Sequence, residues 1–97
     1  MKPVERVEVV IDAAHAEEVL ELFRRHELSG WSFIREVGGF GERGARDCDD
    51  ITSLSNNHLL ITTCDPDRLS ALAEDLRPLL VRYGGVCLVS RASWLLH

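Results

Sequence analysis

Lysine is almost missing from this chain: Lys2 is the only one among 11 fixed cations. Any phosphate or carboxylate must therefore be held by planar arginine forks and backbone amides rather than by an ammonium group. A surplus of positive charge is also missing. The net charge is −5 and the pI about 5.3, which excludes the counterion-displacing basic face of a nucleic-acid binder. No apolar run approaches the roughly 20 residues of a membrane span. Met1-Lys2-Pro3-Val4-Glu5 does not read as a signal peptide, so a cytoplasmic protein is expected. Cysteine is scarce. Cys48, Cys64 and Cys87 are odd in number and lack C-x-x-C spacing, which excludes a disulfide framework and a zinc knuckle. Cys64 and Cys87 lie in apolar runs and are read as core residues, whereas Cys48 lies in a polar stretch as an ordinary exposed thiol. His15, His26, His58 and His97 are scattered, with no spacing that sets a base beside a nucleophile or gathers ligands on a metal. No catalytic residue and no metal ligand is assigned.

What is present divides into two similar halves. Val4 to Ile11 is rich in β-branched residues with Val7, Val9 and Ile11 on one face, which predicts a strand. Asp12 then caps a helix over Ala13 to Glu27, whose apolar set Ala16, Val19, Leu20 and Phe23 follows the helical period. Ser29-Gly30 supplies the stop, and Trp31 to Val37 is a second strand. The pattern then repeats. His58 to Cys64 is a strand, Asp65-Pro66 a cap with proline at the first helical position, and Leu69, Leu72, Ala73 and Leu76 the stripe of a second helix. Pro78 is expected to kink or tighten its last turns. Tyr83-Gly84-Gly85 ends that helix before a strand over Val86 to Arg91. A doubled βαβ unit of 97 residues is most simply one ferredoxin-like α+β domain over residues 1–97, a four-stranded antiparallel sheet with both helices on one face. The other face stays open. A chain this short buries only about 60–65% of its unfolded surface, so the open face and the apolar Trp94-Leu95-Leu96 are expected to pack against other copies.

The run Gly38-Gly39-Phe40-Gly41-Glu42-Arg43-Gly44-Ala45-Arg46 is the most distinctive stretch. Gly39, Gly41 and Gly44 spell G-x-G-x-x-G, but Arg46-Asp47-Cys48-Asp49-Asp50 opens no helix, so the context of a dinucleotide fold is not met. The run instead begins a connection of about 20 residues, roughly 38–57, longer than compact domains use without a functional reason. Asp47, Asp49 and Asp50 lack the spacing of a calcium loop and read as a solvated turn.

Gly30-Trp31-Ser32-Phe33-Ile34-Arg35-Glu36-Val37-Gly38-Gly39-Phe40-Gly41-Glu42-Arg43-Gly44 resembles the strand and the start of the long T-loop of the PII signalling family and its PII-like relatives, where a V-x-G-F-G segment recurs. The doubled βαβ order and the long loop extend the resemblance over nearly the whole chain. It implies a homotrimer with adenine nucleotides in the clefts between subunits. Carried onto this sequence, the nucleotide would be held by Ser32, Gly39, Phe40, Gly41, Arg43, Gly44 and Arg46 and by a second glycine loop, Gly84, Gly85 and Val86. Gly41, Glu42, Arg43 and Arg46 are the candidates for bicarbonate.

The departures from the archetype narrow the ligand. The loop contains no tyrosine for uridylylation, and the second loop lacks the lysine-bearing insertion that wraps the outer phosphates. Arg43 stands where the archetype has a glutamine near Mg-ATP and 2-oxoglutarate, and a guanidinium there repels a cation and attracts a small anion. The resemblance is therefore nearer to a compact branch associated with bicarbonate transport and carboxysomes. A non-enzymatic sensor of AMP or ADP is expected, with ATP or cyclic AMP as further candidates, bicarbonate as second effector, and a bicarbonate transporter or carboxysome component as partner. Two other readings share the fold. An acylphosphatase-like phosphohydrolase would need a glycine-rich phosphate loop after the first strand, where this chain has Ile11-Asp12-Ala13-Ala14. A metal-responsive trimer would need a ligand cluster.

Overall fold

A computed structural model of the chain describes residues 1–37, 39–41, 44–46 and 56–97, with only the backbone of 39–41 and 44–46. β1 spans Lys2–Asp12, a 3-10 turn Ala13–His15 leads into α1 at Ala16–Arg25, and β2 runs over Trp31–Val37. Two short strands follow, β3 at Gly39–Gly41 and β4 at Gly44–Arg46; then come β5 at Asn57–Cys64, a 3-10 turn at Pro66–Arg68, α2 at Leu69–Tyr83 and β6 at Val86–Trp94. The main sheet is antiparallel in the order β2-β5-β1-β6. This is the expected ferredoxin-like fold.

Period-two alternation divides the sheet into two faces. Phe33, Leu60, Val9 and Cys87 lie in one register row toward the helices; in the next row Ile34, Leu59, Val10 and Val86 point the other way. On the helix side Val7, Val9, Ile11 and Leu60 meet Val19, Leu20, Leu22 and Phe23 of α1 and Leu72 and Leu76 of α2 in one buried cluster. Cys64 belongs to it, but Cys87 is only half-buried on the edge strand β6, which the expectation of a core cysteine did not foresee. Burial raises the pKa of both thiols, so neither is a ready thiolate at neutral pH. On the open side no helix packs among the described residues, and Val86 and Leu88 keep 62% and 65% of their surface exposed. A charged pair, Arg6–Glu8 at 2.8 Å, lies among these apolar residues.

Four local details depart from the sequence expectation. Asp12 Oδ1 accepts from the Ala14 amide at 2.9 Å as expected, but the turn it caps is 3-10, with α1 beginning only at Ala16. Asp65 makes no side-chain cap; its carboxylate pairs with the ammonium of Lys2 at 2.9 Å, and the turn closes through the Arg68 amide on its carbonyl. The stop of α1 lies at Glu27 rather than Gly30. Leu28 N–H bonds to Phe23 C=O and Glu27 N–H to Arg24 C=O, the two bonds of a Schellman motif, with Glu27 at φ 56° in the left-handed position glycine usually fills. Finally, the start of the long connection folds into its own antiparallel pair, Gly39↔Arg46, Phe40↔Ala45 and Gly41↔Gly44, where three glycines hid the strand pattern. α2 carries Pro78 within it and runs on to Tyr83, the end expected from Tyr83-Gly84-Gly85.

Candidate functional site

The long connection leaves and re-enters the sheet at one end. β2 reaches it through a bulge: Ile34 pairs Leu59 and Val37 pairs Asn57, so three steps on β2 oppose two on β5. The extra residue is accommodated at Glu36, which has φ 59°. A non-glycine residue held there costs about 1–2 kcal/mol and is re-aiming the strand. Asn57, at the return, is fully buried, and the Ala13 amide donates to the Asn56 carbonyl at 2.9 Å, which ties the return to the end of β1.

The second glycine loop lies at the same end of the sheet. Gly84 takes φ 77° and its amide donates to Leu80 C=O at 2.9 Å, closing α2. Gly85 has a different reason to be glycine: a Cβ there would stand 2.8 Å from the Val10 carbonyl, 3.0 Å from Leu80 Cδ2 and 3.2 Å from Ile11 Cγ1. Its first role is close packing of the helix end onto β1. Beside the loop the Tyr83 ring stacks on His15 with centroids 3.5 Å apart, and Arg82 lies 5.4 Å over the same ring. Sequence reasoning missed this His15–Tyr83 pair because 68 positions separate them in the chain.

His58 stands at the loop base, edge-on to Phe33 at 4.7 Å, while Arg35 covers Phe33 from 5.7 Å. Desolvation, then the Arg35 charge, pushes the His58 pKa below its ordinary value. Among the described residues the buried Nδ1 atoms of His15 and His58 and Oδ1 of Asn56 have no hydrogen-bond partner.

Ser32 lies elsewhere. It lines a groove of about 320 Å³ with Ser29, Gly30, Trp31, Ile61, Thr62, Thr63 and Trp94. The Thr62 hydroxyl donates to Gly30 C=O at 2.7 Å and so fixes the turn that forms one wall. A second cavity of about 330 Å³ adjoins it and shares Ser29, Thr63 and Trp94. Its remaining wall includes Glu27, Cys64 and the Lys2–Asp65 pair. Ser32 and Val86 belong to opposite edge strands with β5 and β1 between them, and those two edge strands lie roughly 14 Å apart at about 4.8 Å per spacing. One chain therefore does not bring Ser32 onto its own glycine loop.

Of the remaining predicted residues, Gly39, Phe40, Gly41, Gly44 and Arg46 are described as backbone in the β3–β4 pair, adjacent to Val37. Glu42 and Arg43, like the acidic trio Asp47, Asp49 and Asp50, lie outside the described residues. Among the described residues no group of three His, Cys, Asp or Glu side chains is placed to hold a metal ion, and no helix is long and apolar enough to cross a membrane.

The sequence profile of the nitrogen regulatory protein P-II family matches residues 4–95. The chain belongs to the P-II family. No curated protein matches it by sequence, but solved P-II-like structures superpose over almost all of it. CPII, a nitrogen regulatory PII-like protein from Thiomonas intermedia K12 solved with ADP, AMP and bicarbonate, aligns with TM-score 0.86 at 19% identity, covering 95% of this chain and 88% of that one. The same protein bound to ADP, AMP and acetate aligns with TM-score 0.83 at 20% identity, over 98% and 91%. A PII-like signalling protein from Thermus thermophilus aligns with TM-score 0.77 at 17% identity, over 97% and 91%. At these identities the superpositions establish the P-II fold, while the profile establishes the family. In P-II terms, the connection from Gly38 is the T-loop, and β2, with its bulge at Glu36, is the strand that aims it.

Proposed function

We propose that this P-II chain is a non-enzymatic sensor that binds AMP or ADP in the clefts of a homotrimer, with bicarbonate as second effector. The observation that carries the reading is the separation of the two halves of the site. Ser32 is on one edge strand, in a groove completed by β5 and by Trp94 at the far end of β6, whereas the Gly84–Gly85 loop precedes the opposite end of β6, so a mononucleotide touching both would sit between two copies. The uncovered face supplies the means: Ile34, Val86 and Leu88 are about half or more exposed in one chain. Burying such side chains stabilises association by roughly 25 cal/mol per Å² of apolar surface. The phosphate would rest on backbone amides of the Gly39–Gly44 stretch and of the second glycine loop, with the forks of Arg43 and Arg46 closing over it.

Bicarbonate has the planar geometry of a carboxylate and suits the same arginines and the amides near Gly41 and Glu42. CPII, crystallised with bicarbonate and with acetate alike, is a relative that accepts anions of this shape. The T-loop is the output. Ligand held at its base would order it for a cytoplasmic partner, a bicarbonate transporter or carboxysome component, and so regulate inorganic-carbon uptake. Calorimetry of AMP, ADP, ATP and cyclic AMP with and without bicarbonate, beside light scattering for the trimer, tests the reading. Micromolar binding of AMP or ADP that tightens with bicarbonate is expected. No nucleotide binding at millimolar concentration would sink it.

A further inference from the structure

We propose that Trp94 is the residue on which the aromatic base of the ligand stacks; this rests on the nucleotide-sensor reading and adds the side chain that recognises the base. Trp94 ends β6, and its ladder pairing with Lys2 places it past the apolar rows of the open face. Its indole lines both adjoining cavities, the groove that holds Ser32 and the charged cavity that holds Lys2 and Asp65. It is thus a flat wall between an apolar space and a polar one.

Two indoles line the groove, and only one is available. The Trp31 ring is tilted against Phe23 with centroids 6.2 Å apart and has the Arg24 guanidinium 5.6 Å above it. Trp94, 47% exposed, has no ring or cation partner among the described residues. A half-bare indole facing a concave surface gains most from another π-system laid on it, and any base offers one. The hydroxyls of Ser29, Ser32 and Thr63, which share the groove walls with it, can then read the base edge. The outer backbone of β2 can do so too, because β2 is an edge strand with one side unpaired in the sheet.

Titrating AMP into wild type, Trp94→Leu and Trp94→Phe by calorimetry tests this. Trp94→Leu keeps an apolar side chain but no π-face and should weaken binding on the order of 10- to 100-fold; Trp94→Phe should recover most of the loss. In Trp31→Phe, where Trp94 is the one remaining indole, AMP should quench the emission and ribose 5-phosphate at the same concentration should not. The emission measurement decides if light scattering shows that Trp94→Leu no longer assembles. Equal affinity of Trp94→Leu and wild type in an intact assembly, or unchanged Trp94 emission at saturating AMP, overturns the inference and leaves the sensor reading standing. A wild-type protein that binds neither AMP nor ADP overturns both.

Discussion

Where β6 begins, the chain approaches itself so closely that Gly85 has no room for a Cβ, and the loop beside it is backbone with little side chain. Where β6 finishes, the surface is made of side chains instead: Trp94, Lys2, Asp65 and the hydroxyls of Ser29 and Thr63 around open cavities. The first kind of surface can hold an anion through amides and cannot be altered without disturbing the core. The second can distinguish bases and tolerates substitution. A nucleotide has both a phosphate and a base, and in the sensor reading proposed above the two kinds of surface would serve one each, brought together by a second copy.

The sharpest way to break that contrast is to substitute the glycine. Gly85→Ala should destabilise the protein by about 2–3 kcal/mol, because the nearest obstruction is the Val10 carbonyl of the central strand β1, which cannot rotate away. Urea unfolding measures it. A loss below about 0.5 kcal/mol would mean the helix end can lift off β1, and the packing role of Gly85 would be wrong. Next in size is Arg43→Ala, which should weaken AMP or ADP binding by about 1–3 kcal/mol while leaving the unfolding midpoint unchanged, as expected of a charge-assisted contact made only with ligand. Unchanged affinity would remove Arg43 from the site.

His58 gives the loop end a pH dependence of known sign. Its pKa is lower in the folded protein than its ordinary value because burial and Arg35 oppose the proton. The unfolded chain therefore binds more protons over the interval just below that ordinary value of about 6.5, and stability must rise with pH there and level off above it. Urea midpoints at pH 5 and pH 7 should differ in that direction, and the His58 part of the difference should vanish in His58→Gln. A variant with the full wild-type slope would assign the effect to another group.

Much of this architecture was legible in the sequence, because strand alternation and the helical stripe are local signals that burial alone enforces. Val7, Val9 and Ile11 and the set Ala16, Val19, Leu20 and Phe23 fell where the pattern put them. So did Gly84 as a helix end. The capping aspartates were only half legible, since Asp65 had a partner, Lys2, that lies 63 positions away and wins its carboxylate by charge. Of the candidate site, Ser32 was singled out by its family-like segment, but its distance from the glycine loop followed from the strand order and from nothing in the local sequence. Trp94 was read as part of an apolar end that packs against other copies. Only the folded chain, where Trp94 lines two adjoining cavities, shows that it stands at a groove.

The smallest expected effect tests a non-glycine residue held in the left-handed region at the side-chain end of the sheet. Glu27 holds φ 56° at the stop of α1, with both Schellman bonds made, and is a negatively charged residue at the negative end of the helix dipole. Backbone strain and like-sign charge both oppose glutamate there, whereas glycine meets the conformation without a Cβ penalty and gives back part of the gain through its freer unfolded chain. The balance favours Glu27→Gly by about 0.5–1 kcal/mol, which in a domain of this size raises Tm by roughly 2–8 °C. Calorimetric scans of the two proteins at equal concentration read it directly. A Tm that falls would mean the Glu27 carboxylate, on the wall of the cavity that holds the Lys2–Asp65 pair, stabilises the fold by more than its backbone strain costs.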